Sequence, residues 1–93
     1  MKVRVSGAAL QDIARLRTFL SDQAAPAAPR VAAVIVSAIE NLSTFPRLGR
    51  TSSGNIRELF IPFGQAGYIV RYAIFENAEE IVILRVWHGR EAR

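Results

Sequence analysis

The side chains best equipped for chemistry gather near the end of the chain. His88 is the only histidine. Histidine is the side chain most readily used as a general base near neutral pH. The plainer reading is a histidine at a strand end, hydrogen-bonded to backbone. Arg85 and Arg90 lie on either side of it, and Arg57 and Arg71 sit earlier among apolar neighbours. Guanidinium groups make bidentate contacts with carboxylates and phosphates. An arginine inside an apolar strand needs a carboxylate partner, because an unpaired buried charge is costly. Glu58 is the natural partner if the strands adjoin. Otherwise Arg71 or Arg85 awaits an acidic side chain or a phosphate from another molecule. Trp87 reads as packing or, if partly exposed, as an anchor for a protein partner.

Other chemistries have few residues to draw on. There is no cysteine, so no disulfide, zinc knuckle or thiol nucleophile. Glu76, Glu79 and Glu80 cluster at a turn without metal-ligating neighbours and read as solvated, so no metal or cofactor is expected. The net charge is +4, and arginines outnumber lysine eleven to one. The excess falls in residues 1–54, which hold seven cations against three acids. A positive field suits nucleic acid or an acidic protein, although biased composition would give the same count. Arg47 and Arg50 share a glycine- and serine-rich stretch, 47–54, that reads as a surface loop. They are either solvated or make salt-sensitive contacts with a target.

The elements that position these groups follow from periodicity. Ninety-three residues, 51% apolar, fit one domain spanning 1–93. Apolar runs fall far short of the roughly 20 residues that cross a membrane, and a cytoplasmic location is expected. Residues 2–6 alternate as a short strand, and Ser6 can cap a following helix. Ala9, Ile13, Leu16 and Leu20 form the stripe of a helix over 8–21. Phe19 and Leu20 need not both fit beneath a sheet, which predicts an exposed apolar groove. Residues 23–29, with two prolines, connect to a second helix over 30–45. Its stripe is Val31, Val34, Ile35, Ala38, Ile39, Leu42 and Phe45, with Pro46 as the stop. Strands follow at 56–62, 68–75 and 80–88. Tyr68, Val70, Tyr72 and Ile74 share a face, and Trp87 alternates with Ile83 and Ile81. The fold class is α+β, ordered β-α-α-β-β-β, with a helix hairpin packed on a small antiparallel sheet.

Several phrases add a resemblance to that order. They are Phe45-Pro46-Arg47-Leu48-Gly49-Arg50, Arg57-Glu58-Leu59, Gly67-Tyr68-Ile69-Val70-Arg71-Tyr72, and Ile83-Leu84-Arg85-Val86-Trp87-His88-Gly89-Arg90. Together they resemble the ParE/RelE superfamily of toxins from type II toxin–antitoxin modules, over essentially the whole chain and closer to the ParE branch. The resemblance implies growth arrest, and neutralisation by a cognate antitoxin that wraps the hairpin and sheet. RelE-type members cut messenger RNA in the ribosomal A site, whereas ParE-type members poison DNA gyrase.

RNA cleavage without metal needs a base, cations for the crowded phosphate, and an acid for the leaving oxygen. Against the RelE pattern, the arginine that follows the Gly-Tyr pair is here Ile69. The paired lysines of the first strand are reduced to Arg57 beside Glu58. The family's tyrosine would fall beyond Arg93. Arg57, Arg85, His88 and Arg90 are the remaining candidates, an incomplete set. The expectation is therefore a gyrase poison, with ribosome-dependent RNA cleavage as the alternative. Phe19, Leu20, Arg47, Arg50, Arg71, Trp87 and Arg90 are the expected partner-binding residues.

Overall fold

The computed structural model describes residues 1–24 and 28–91, apart from the side chains of 20–24, 28 and 29. The expected partner contact Leu20 and the middle of the 23–29 connection lie outside the described residues. The elements are β1 (Lys2–Val5), α1 (Gly7–Ala24), α2 (Ala28–Thr44), β2 (Arg50–Ser53), β3 (Ile56–Ile61), β4 (Tyr68–Phe75) and β5 (Glu80–His88). The sheet order is β1-β5-β4-β3-β2. The β2–β3, β3–β4 and β4–β5 pairs are antiparallel, and β1 runs parallel to β5. The fold is α+β as expected, but the sheet has five strands and is mixed.

The helices bury one stripe each. Ala9 and Leu16 of α1, with Val31, Ile35, Ile39 and Leu42 of α2, meet Val70, Tyr72, Ile74, Ile81, Ile83 and Val86. Ser6 starts α1 as expected. Its hydroxyl accepts the Ala9 N–H at 3.1 Å and donates to the Leu84 carbonyl at 3.1 Å. One side chain thus caps the helix and ties it to β5. Phe45 departs from the expected core stripe. The helix ends at Thr44, so Phe45 leaves its periodicity and stands 60% exposed.

Two further expectations are corrected. Residues 50–53 are not loop but an edge strand, β2, turned by Gly54 at φ +55° and paired with β3. Arg50 lies on this strand. All four β2 residues are exposed, so no apolar alternation signals the strand. Trp87 does not share the face of Ile81 and Ile83. The pairing Arg71↔Arg85 is followed by Tyr72↔Ile83, which leaves an extra residue in β5 at Leu84. Such a bulge reverses the alternation beyond it. Val86 consequently returns to the core and Trp87 goes to the opposite face.

The loop after α2 is anchored by Tyr72. Its hydroxyl donates to the Pro46 carbonyl at 2.7 Å and accepts the Gly49 N–H at 2.8 Å. Burial raises the phenol pKa, against the effects of Gly49 and Arg57. A Cβ on Gly49 would lie 2.7 Å from that hydroxyl, so the Leu-Gly-Arg phrase needs glycine here.

Candidate partner-binding surface

The β1–β5 pairing ends at Val5↔Ile83, and beyond it no strand of the described residues lies on that side of β5, where α1 takes its place. Asp12, 4% exposed, accepts the Val86 N–H at 2.8 Å. Arg15 donates to the Val86 carbonyl at 3.3 Å and to Asp12 at 3.1 Å. A carboxylate and a guanidinium therefore satisfy the edge groups that a strand would otherwise pair. Arg85 completes the cluster, donating to Asp12 through Nε at 2.7 Å and Nη2 at 3.0 Å. Burial works against the charged carboxylate. Hydrogen bonds from Arg85, Val86 and Arg15 outweigh it and hold Asp12 below the usual carboxylate range.

On the sheet face away from the helices, Arg71 pairs with Glu58 at 2.7 Å, across the register Glu58↔Arg71. Glu58 is the carboxylate expected for Arg71, whereas Arg85 takes Asp12 instead. Trp87, 6% exposed, has both guanidiniums over its ring. Their carbons stand 4.8 Å (Arg71) and 5.3 Å (Arg85) from the ring centroid. The indole is thereby covered by stacked cations.

The remaining expected residues fall in separate places. Arg57 donates to the Gly49 carbonyl at 2.7 Å and so holds the α2–β2 loop. Arg47 pairs with Glu76, and Arg4 pairs with Glu80 at 3.4 Å. Both acids are thus partnered rather than merely solvated. Arg57 sits opposite Tyr72, four rungs along β4 from the Tyr68↔His88 pair. That is about 13 Å at roughly 3.3 Å per residue.

Phe19, His88 and Arg90 do come together. With Arg15 and Glu91 they line an open cleft of about 530 Å³ between α1 and the end of β5. Phe19 is 57% exposed. His88 packs edge-on to Tyr68 at 5.4 Å, and its Nδ1 accepts the Arg90 N–H at 3.2 Å. The cleft offers an aromatic wall beside cationic groups, which suits an apolar side chain carried on an acidic segment. Asp12, Arg15 and Glu91 were missed in the sequence. Asp12 is spaced four residues before Leu16 and three after Ala9, on the buried stripe, and that position was the available signal. Among the described residues no cluster could hold a metal ion, and no helix is long and apolar enough to cross a membrane.

Residues 3–93 match the model of the ParE toxin of the parDE type II toxin–antitoxin system, and the chain belongs to that family. It is 37% identical over 91 residues to Toxin RelE3 of Caulobacter vibrioides, covering 98% of this chain and 97% of that protein. It is 35% identical over 91 residues to Toxin RelE1 of the same organism, covering 98% and 96%. Among solved structures, the toxin–antitoxin complex RelBE2 of Mycobacterium tuberculosis matches at TM-score 0.68 and 26% identity, covering 94% of this chain and 95% of that one. The chromosomal ParDE system of P. aeruginosa matches at TM-score 0.79 and 18% identity, covering 97% of each chain, a likeness of fold alone.

Proposed function

We propose that this toxin arrests growth in the cytoplasm by binding DNA gyrase and stabilising its cleaved complex, with no RNA cleavage of its own. A cognate antitoxin competes for overlapping surface, the Phe19–His88–Arg90 cleft included. The observation that carries this reading is the commitment of the cations. Arg57 is held by a loop carbonyl, Arg71 by Glu58, and Arg85 by Asp12 and Trp87. His88 already accepts a backbone N–H. Arg57 and His88 are also too far apart along the sheet to flank one phosphate. A set this scattered and already committed supports binding rather than turnover, since a cooperative catalytic set that is not assembled loses orders of magnitude in rate. The match to a ParE family model supports the same target class.

A second reading is a ribosome-dependent messenger RNA endonuclease using Arg57, Arg85, His88 and Arg90. The names of the Caulobacter relatives favour it. Induced expression separates the two. The gyrase reading expects growth arrest with a DNA-damage response while protein synthesis continues. Collapsed translation over intact DNA would contradict it and favour the nuclease.

A further inference from the structure

The bond between Arg15 and Glu91 joins the two walls of the cleft. Arg15 Nη1 donates to Glu91 Oε1 at 2.6 Å. The other end of the same guanidinium is fixed on Asp12 and on the Val86 carbonyl. Glu91 belongs to a turn that folds back from β5. Its base is held by Gly89 N–H to the Gly67 carbonyl at 2.9 Å and Glu91 N–H to the His88 carbonyl at 3.0 Å. Among the hydrogen bonds of the described residues, only that from Arg15 ties this turn to α1. α1 carries Phe19 and the turn carries Arg90, so this bond sets their separation across the cleft.

We infer that Arg15 and Glu91 are positioning residues, a latch that holds Arg90 in place for the toxin's target. The inference rests on the proposed use of the cleft. Exposure separates the latch from the cluster behind it. Asp12 is 5% exposed at its side chain, whereas Arg15 and Glu91 are 44% and 29% exposed. An exposed ion pair contributes little to global stability. The latch therefore orders the lip of the cleft without holding up the fold, and it can be opened by a single substitution. Glu91 is the residue to change, because Arg15 also serves Asp12 and Val86.

The test compares wild type, Glu91→Gln and Glu91→Asp as full chains. Glu91→Gln is expected to keep the wild-type melting temperature. Its Arg90 and Glu91 amides should exchange with solvent roughly two- to five-fold faster, the range an exposed ion pair allows. The inducer level needed to arrest growth should rise by a similar factor, about two- to five-fold. Glu91→Asp keeps the charge and should recover most of both effects. Unchanged exchange at these amides would overturn the latch. Faster exchange with undiminished toxicity would overturn its positioning role. Gyrase inhibition by the wild-type protein is scored separately. Inertness toward gyrase sinks the target assignment, while exchange and growth ranking still decide the latch.

Discussion

Asp12→Ala should cost about 3 kcal/mol of folding stability, the lower end of the cost of breaking a buried ion pair. The loss has two parts. The Val86 N–H, which faces α1 at the uncovered edge of β5, is left without its acceptor. Arg85 and Arg15 lose the carboxylate between them. Both are nearly half exposed and can return to water, which keeps the cost at the low end. A domain of this size has about 5–10 kcal/mol in total. The melting temperature should fall by roughly 12–24 °C. Asp12 also sets a pH dependence. Its folded-state pKa lies below the unfolded value, so its contribution is complete above about pH 4. Stability is lost as pH drops through the lower, folded-state pKa. Denaturant midpoints of wild type and Asp12→Asn, measured from pH 7 to pH 2, should show a steeper acid loss in the wild type. Parallel curves would remove the carboxylate from this account.

Gly67→Ala should cost about 2–3 kcal/mol, for reasons unrelated to charge. Gly67 sits at φ +76°, a conformation that strains an L-residue by about 1–3 kcal/mol. A Cβ there would also lie 2.5 Å from the Ile61 carbonyl oxygen, a backbone atom that cannot swing aside. Gly54→Ala isolates the strain. Gly54 has φ +55° but open space around its missing Cβ, so that variant should cost only about 1 kcal/mol. Equal midpoints for the two variants in a denaturant titration would contradict the close approach. Gly67→Ala has a second consequence. The Gly67 carbonyl accepts the Gly89 N–H, so displacement at 67 should also loosen the turn that carries Arg90.

Much of the fold was legible because burial imposes periodicity. Val31, Ile35, Ile39 and Leu42 mark the core face of α2 directly. The Tyr68–Ile74 alternation marks the helix-facing side of β4, and the Glu58–Arg71 pair followed once two strands were placed side by side. What escaped depends on contacts across the chain. β2 is an exposed edge with no apolar residue to reveal it. The bulge at Leu84 leaves no local mark, yet it moves Trp87 to the other face and sets it against two arginines. Asp12 resembles any acid early in a helix, where it suits the dipole. Only the missing strand beside Val86 reveals its task. The cleft joins Phe19 to His88 and Arg90 through tertiary packing, although all three were named from the sequence. Arg57 and Arg47 were named too, and the structure occupies them with a loop carbonyl and with Glu76.

The most direct test of the proposed target uses purified components. The toxin is mixed with gyrase, ATP and supercoiled plasmid, and in parallel with ribosomes stalled on a defined message. Accumulation of enzyme-linked, double-strand-broken plasmid is expected, together with an intact message at every ratio of toxin to ribosome. Cuts placed in the A-site codon, with gyrase turnover unaffected, would contradict the account.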